Sequence, residues 1–269
     1  MNRLISSIQN NQKIGRKTLS MFLTAGFPSL DIFQDLFNAL HDGGADLIEI
    51  GIPFSDPIAD GPTIQQSSEI ALRNGVSVNK IFEKLSQFRL AQEVPVILMG
   101  YANPILAFGI NNFLTSCSEL GVSGVIVPDL GLEEGAAFRT AAHEYGIATI
   151  LLVTPTTPAD RIRAIDKASN GFIYCVSITG VTGNNQSISD DAVGFLQSAR
   201  KNIRVNPLLV GFGISSDEDV RRLGPHSDGI IVGSALIKEI QQTTPDNYIS
   251  SARNCTAYFR KALDSCNPL

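Results

Sequence analysis

The sequence predicts an α/β fold, a single-domain (β/α)8 TIM barrel with a short extra N-terminal helix. Eight short apolar runs rich in β-branched residues recur along its 269 residues, about 34 residues apart, which is the length of one strand-and-helix unit. Amphipathic stretches separate these runs, and such alternation is typical of a parallel sheet with helical crossovers. No linker or break in composition divides residues 1–269, so we expect one domain.

Each element follows from its own pattern. The predicted strands are 19–25, 45–50, 94–101, 124–128, 148–153, 172–177, 207–211 and 229–232. Apolar residues at three- and four-residue intervals predict helices that include 30–41, 63–73, 132–145, 158–168 and 216–223. The same spacing of Leu4, Ile5 and Ile8 predicts a helix within residues 1–16. A doubly wound open sheet is the alternative, but eight strands and the lack of a GxGxxG motif after the first strand favour the barrel.

Composition narrows the classes of partner. The chain has 21 Lys and Arg against 26 Asp and Glu, a net charge of -5, so we expect no nucleic-acid or anionic-membrane surface. No apolar run reaches the roughly 18 residues that a transmembrane helix needs. The four cysteines lack CxxC spacing, which indicates neither a metal site nor a disulfide framework. We therefore expect a cytoplasmic protein without a metal, although the acid-free, basic residues 1–17 leave a plastid stroma open for a plant or algal source.

The second predicted strand contains an acidic residue that should point into the barrel. Alternate strand residues face opposite sides, so Ile48 and Ile50 face the helices while Glu49 faces the interior. A buried carboxylate costs several kcal/mol unless it is paired or protonated. It could be a structural Glu held by an interior cation, but no other predicted strand contains Lys or Arg, which favours a functional role.

A proline-rich loop with two further acids follows this strand. Residues 52–62 read IPFSDPIADGP and carry Asp56 and Asp60 over the mouth of the barrel, where such barrels place their active sites. One buried and one loop carboxylate could divide acid and base roles at neutral pH. Alternatively, Asp60 before Gly61 and Pro62 is only turn chemistry at a helix entry.

Three glycine-containing loops follow the last three strands of the barrel. They read GVTG at 180–183, GFGIS at 211–215 and GSA at 233–235, and the last two precede helical patterns. Glycines allow close approach of backbone N–H groups, and helix N-termini favour anions, so these loops indicate a phosphate site. For the polar stretch 184–190 the sequence leaves two alternatives, a lid that closes over substrate and an ordinary loop.

The interior face also offers apolar and aromatic side chains near Glu49. They could line a cavity for a flat ring, or they could be plain barrel core. These candidate ring-binding residues are Phe22, Met99, Tyr101, Ile126 and Tyr174.

Taken in order, these motifs resemble the tryptophan synthase alpha chain family. The resemblance is carried by IEIGIPFSDP at 48–57, ADGPTIQ at 59–65, MGYANP at 99–104 and the three glycine loops, and it spans essentially the whole chain. It implies a lyase that cleaves indole-3-glycerol phosphate to indole and glyceraldehyde 3-phosphate, with no cofactor in this chain. In that reading Glu49 is the general acid and base, and Asp60 holds the indole N–H.

The resemblance also assigns the remaining site residues. The indole pocket would consist of Phe22, Ile64, Met99, Ile126 and Tyr174. The phosphate would be bound by Gly183, Gly213, Gly233 and Ser234, beneath a lid loop that contains Thr182.

A partner is implied as well. Members of the family usually pair, as α2β2 heterotetramers, with a beta chain that carries pyridoxal phosphate and condenses the released indole with serine to make tryptophan. The apolar loop 53–57 after the second strand and the stretch Tyr101 to Pro104 are the surfaces that we assign to this contact. The contact residues would be Pro53, Phe54, Asp56, Asn103 and Pro104.

Two other functions remain open from the sequence. The first is another phosphate-binding barrel enzyme, such as an isomerase or an indole-glycerol-phosphate synthase, but the synthase would be expected to need a lysine inside the barrel, and the predicted strands contain none. The second is a non-catalytic subunit that senses a phosphorylated metabolite or only activates a partner. The presence of both Glu49 and Asp60 favours the lyase.

Overall fold

Eight parallel strands close into a barrel in the computed structural model, which describes residues 2–88, 93–176, 189–211 and 213–266. Each strand pairs with its neighbours in sequence, and the eighth pairs with the first. The strands are β1 (Thr18–Thr24), β2 (Leu47–Gly51), β3 (Val96–Met99), β4 (Gly124–Ile126), β5 (Ala148–Val153), β6 (Ile173–Val176), β7 (Leu208–Gly211) and β8 (Gly229–Val232). The predicted (β/α)8 architecture is therefore confirmed, with all eight predicted strands present and their ends shifted by a few residues.

Helices surround the barrel within the described ranges. They are α1 (Arg3–Lys13), α2 (Phe33–Asp42), α3 (Pro62–Arg73), α4 (Val78–Leu85), α5 (Ala102–Phe108), α6 (Ile110–Glu119), α7 (Ala136–Glu144), α8 (Ala159–Ala168), α9 (Asp190–Asn202), α10 (Asp217–Leu223), α11 (Ser234–Gln242) and α12 (Tyr248–Asp264). The predicted N-terminal helix and the five helices predicted by spacing are all confirmed. None of the helices in the described part of the chain combines the length and apolarity that a membrane span requires.

Strand alternation divides the buried side chains into two layers. Ile48 and Ile50 of β2 belong to the layer between strands and helices, whereas Leu47 belongs to the barrel interior. Glu49 therefore faces inward, as the period-two pattern predicts, and it is fully buried. Its register partner on β1 is Phe22.

Helix α1 closes the N-terminal end of the barrel. The side chain of Asn2 caps this helix by accepting a 2.9 Å hydrogen bond from the Leu4 N–H. Leu4 and Ile8 are fully buried and pack in the interior cluster with residues of β5, so they plug the barrel from below. The opposite end, where the strands finish, is left for the functional site.

Candidate active site

A cleft opens at the carboxyl ends of the strands, where the loops after β2, β7 and β8 meet. It contains about 470 Å³ of unoccupied space, its open mouth included. Its walls are apolar and aromatic on one side and glycine-rich on the other, and they are formed by Phe22, Asp60, Gly61, Ile64, Met99, Tyr174, Gly213, Ile214, Ile231, Gly233 and Ser234. The cleft thus combines an apolar half with a half rich in exposed backbone.

Glu49 lies behind the cleft wall, inside the barrel. Its side chain is inaccessible to solvent, and the hydroxyl of Ser20 donates a 2.8 Å hydrogen bond to Oε1. The second oxygen, Oε2, has no hydrogen-bond partner among the described residues. Burial raises the pKa of this carboxyl from 4.5 to about 7, because removal from water disfavours its charged form, while the hydrogen bond from Ser20 acts in the opposite direction.

Tyr174 of β6 is the titratable side chain that links the two acids electrostatically. Burial raises the pKa of its phenol well above the usual value, and the carboxylates of Glu49 and Asp60 raise it further. The phenol therefore stays neutral at physiological pH. It can contribute a ring face and a hydroxyl to the cleft, but no charge.

Asp60 lies in the cleft wall, in the loop between β2 and α3. The hydroxyl of Tyr101 donates a 2.9 Å hydrogen bond to its Oδ2 and accepts one of 3.0 Å from the Ala59 N–H. Burial raises the pKa of Asp60 to about 6, and the hydrogen bond from Tyr101 partly counters that rise. The pKa of Asp60 is thus lower than that of Glu49, so at neutral pH Asp60 is mostly ionised while Glu49 is about half protonated.

The link between Tyr101 and Asp60 is a feature that sequence reasoning missed. The sequence suggested Tyr101 only as part of an aromatic cavity or a partner surface. The buried side chain of Tyr101 instead supports the loop that carries Asp60. Its ring packs against the ring of Phe54, with 5.3 Å between the two centroids. The sequence gives little indication of this contact, since 41 residues separate Tyr101 from Asp60.

Gly51 and Gly211 are the last residues of β2 and β7, and both leave room for aromatic side chains of the cleft wall. A Cβ atom on Gly51 would overlap the ring of Phe22, and one on Gly211 would overlap the phenol of Tyr174. A glycine inside a strand pattern often marks such a close approach. This signal was present in the sequence, although sequence reasoning did not draw on it for these two positions.

The other half of the cleft offers backbone N–H groups without helical acceptors, which can bind an anion. Gly233 caps α11 and Ser234 begins it, with no side chain bonded to the cap and no acidic residue in the first turn, so the first N–H groups lack acceptors within the helix. The neighbouring α10 differs, because Ser216 and Asp219 form a capping box that satisfies its own N-terminus. Of the two helix starts, that of α11 is therefore the one open to a bound anion.

The loop after β7 forms another part of this half of the cleft. Gly213 has a φ of +83°, a conformation that other residues rarely adopt, and it lines the cleft opposite Gly233. The structure therefore brings together three of the four predicted phosphate residues. The fourth, Gly183, and the predicted lid residue Thr182 lie outside the described residues.

The predicted ring-binding residues do not all lie at the same depth. Phe22, Ile64, Met99 and Tyr174 line the cleft. Ile126 is fully buried in the interior cluster and is not part of the cleft wall. Two residues that were not predicted as ring contacts, Ile214 and Ile231, line it instead.

The predicted partner-contact residues surround the mouth of the barrel with different exposures. Asp56 and Asn103 are exposed, Phe54 and Pro104 are half-buried, and Pro53 is buried. Two neighbouring apolar side chains are more exposed than Pro53, Phe54 or Pro104. Ile58 is 83% exposed and Leu106 is 60% exposed. This rim therefore presents apolar side chains to solvent next to the cleft.

The described ranges contain no cluster of three or more His, Cys, Asp or Glu side chains that could hold a metal ion. Among the described residues that line the cleft, Asp60 carries the one carboxyl, with Glu49 behind the wall, and the glycine-rich half consists of neutral residues.

Comparison with known proteins identifies the family. Residues 8–265 match the family described as tryptophan synthase alpha chain. The alpha chain of Petrotoga mobilis is 46% identical over 230 residues, which are 86% of this chain and 89% of that one. The alpha chain of Roseiflexus castenholzii is 43% identical over 261 residues, covering 97% and 100% of the two chains.

Solved structures agree with this result. The alpha chain from Legionella pneumophila superposes with a TM-score of 0.89 at 32% identity, covering 98% of both chains. An aminoacrylate-bound tryptophan synthase from M. tuberculosis gives a TM-score of 0.85 at 29% identity, covering 98% of this chain and 100% of that one. The chain therefore belongs to the tryptophan synthase alpha chain family, the lyases that cleave indole-3-glycerol phosphate to indole and glyceraldehyde 3-phosphate.

Proposed function

We propose that Glu49 is the general acid and base with which this chain cleaves indole-3-glycerol phosphate, and that Asp60 binds the indole N–H. The observation that carries this proposal is the environment of Glu49, a fully buried carboxyl beside the cleft with a pKa of about 7. An acid–base group works best when its pKa lies near the working pH, because it can then both give and take a proton.

The reaction needs these two roles in sequence. Protonation of indole carbon 3 by Glu49 places positive charge on the ring nitrogen, and the Asp60 carboxylate stabilises that charge through the N–H. The Glu49 carboxylate then removes the proton of the adjacent glycerol hydroxyl. The carbon–carbon bond breaks as the aldehyde forms, its electrons return to the ring, and Glu49 ends the cycle protonated as it began.

The two halves of the cleft suit the two ends of this substrate. Phe22, Met99 and Tyr174 offer apolar and aromatic surface for a flat ring, with Ile64 beside them. Gly213, Gly233 and Ser234 offer backbone N–H groups and the start of α11 for the phosphate. Ile126 supports the ring pocket from behind in this proposal, and Gly183 and Thr182 stay predictions.

A beta chain is the partner that the exposed apolar rim fits. The family pairs with such a chain, which holds the pyridoxal phosphate of the second half-reaction, and we propose the α2β2 arrangement here. The contact would comprise Pro53, Phe54, Asp56, Asn103 and Pro104, extended by the exposed Ile58 and Leu106.

All four cysteines are free thiols, which supports a reducing compartment such as the cytoplasm.

Glu49→Gln tests the chemistry directly. The amide has nearly the same shape but can neither donate nor accept the proton, so we expect indole release to fall by about 10²- to 10⁴-fold with the substrate still bound. The assay is indole release by the purified chain, alone and with a beta chain. Glu144→Gln on the exposed face of α7 is the matched control and should behave as wild type. Near-normal turnover by Glu49→Gln would refute the proposed mechanism.

Asp60→Asn tests the second carboxyl. The amide can still accept the indole N–H but carries no charge, so we expect a loss of about 10- to 100-fold, smaller than that of Glu49→Gln. The same indole-release assay measures it, with the exposed Asp31→Asn as control. A loss equal to that of the control would remove Asp60 from the mechanism.

The raised pKa of Glu49 also predicts a pH-dependent stability. The group titrates at about 7 in the folded chain and near 4.5 when unfolded. Between these values the folded state binds more protons, so stability falls as pH rises through this window. The glutamine of Glu49→Gln does not ionise, so the variant does not lose this stability. The free energy of unfolding of the variant minus that of wild type should therefore increase by about 3 kcal/mol between pH 4.5 and pH 8.

Urea unfolding at the two pH values measures this difference. Glu144→Gln, which removes an exposed carboxyl, is measured at the same two pH values as the control. A difference between Glu49→Gln and wild type that stays constant with pH would show that Glu49 titrates normally in the folded chain.

Leu106→Asp tests the proposed partner surface. A charge on this exposed apolar position of α5 should weaken binding to a beta chain by about 10-fold or more, since it must be desolvated in the contact. Indole release by the chain alone should not change. Ile14→Asp, at an even more exposed apolar position at the end of α1, is the control. Equal beta-chain affinity for both variants would place the contact elsewhere.

A further inference from the structure

We propose that Ser20 is a positioning residue for Glu49: its hydroxyl holds one oxygen of the carboxyl and leaves the other oxygen free for the substrate. This inference rests on the proposed role of Glu49 as the acid–base group, and it adds a residue that contacts neither the substrate nor the cleft.

The barrel register places Ser20 where it can act on Glu49. Ser20 lies opposite Leu47 on the neighbouring strand, and Phe22, two residues later on the same face of β1, lies opposite Glu49. Side chains two apart on a strand share a face, so Ser20 points into the barrel one step below the aromatic wall. The residue is fully buried and does not line the cleft.

The strand neighbours of Ser20 are apolar. Its register partners are Leu47 on β2 and Ile231 on β8, and both belong to the interior hydrophobic cluster. Among the described residues its hydroxyl makes one hydrogen bond, the 2.8 Å contact to Oε1 of Glu49. A buried hydroxyl without a partner is destabilising, so the presence of a serine in this layer is accounted for by the carboxyl that it contacts.

The same contact orients the carboxyl. With Oε1 occupied by the hydroxyl, Oε2 is the oxygen without a hydrogen-bond partner among the described residues, although it is fully buried. Buried polar atoms are normally satisfied, and an exception calls for an explanation. Here the explanation is that Oε2 is held ready for the carbon and the hydroxyl of the substrate.

The hydrogen bond also has a direct effect on titration. It lowers the pKa of Glu49 from the value that burial alone would produce. Tyr174 from β6, whose phenol is neutral, interacts electrostatically with Glu49, and Asp60 from the loop after β2 interacts with the same phenol. Removal of the Ser20 hydroxyl should therefore move the pKa of Glu49 upward while those two groups stay in place.

Ser20→Ala gives the first test, with the pH dependence of indole release as the readout. We expect the inflection that belongs to Glu49 to move upward by about 0.5 to 1 pH unit and kcat to fall about 2- to 10-fold, as the loss of one hydrogen bond predicts. KM should stay close to wild type because Ser20 does not line the cleft. A purely structural role would lower stability without moving the inflection.

The pair Ser20→Thr and Ser20→Val separates the hydroxyl from the packing. The two side chains have nearly the same shape, but only threonine keeps the hydroxyl, so Thr should restore the wild-type inflection and Val should shift it as Ala does. Ser169→Ala is the matched control, because it removes a buried hydroxyl near the start of β6 that bonds only backbone groups. This control should lose stability with no shift in the pH profile.

Two results would overturn the inference, and they are distinguishable. If Glu49→Gln is inactive while the profiles of Ser20→Ala, Ser20→Val and wild type coincide, Glu49 is the acid–base group but Ser20 does not position it. If Glu49→Gln turns over normally, the proposed function fails, and the role of Ser20 fails with it.

Discussion

Burial of the Glu49 carboxyl is the constraint on which the rest of the site depends. An isolated charge inside an apolar barrel is strongly disfavoured, so the group keeps its proton up to about pH 7 instead of ionising near 4.5. Within the described chain, the compensating interaction is a single hydrogen bond from Ser20. The barrel thereby produces, from an ordinary glutamate, a group that can exchange a proton at neutral pH.

The second carboxyl shows how environment divides the roles. Asp60 lies in a loop at the cleft rather than inside the barrel, and Tyr101 donates a hydrogen bond to it. Its pKa of about 6 leaves it mostly ionised when Glu49 is still half protonated. Two acids of similar chemistry therefore differ in charge at the same pH, which is what a reaction that needs one proton donor and one fixed negative charge requires.

The sequence was most informative where a short repeat in the residue pattern determines local structure, as the alternation of residues along a strand does. Alternation in β2 was enough to place Glu49 inside the barrel, and the spacing of strands was enough to predict eight of them. Glycines at 213 and 233 indicated the glycine-rich half of the cleft, since the conformation of Gly213 and the uncapped start of α11 are local properties.

Features that depend on how distant elements meet were less accessible. The depth of Ile126 follows from the closure of the barrel, and the contact of Tyr101 with Asp60 joins two separate loops. The hydrogen bond between Ser20 and Glu49 depends on the register of β1 against β2, which the composition of neither strand specifies. The structural surroundings of Gly183 and Thr182 lie outside the described residues.

The central claim is that the folded barrel holds the carboxyl of Glu49 partly protonated at neutral pH. Carbon-13 NMR of the chain labelled at the glutamate side-chain carboxyl carbon, with the Glu49 signal assigned by its absence in Glu49→Gln, follows that titration directly. The account predicts a midpoint at about pH 7 for this signal. A midpoint near the ordinary glutamate value of 4.5 would contradict it.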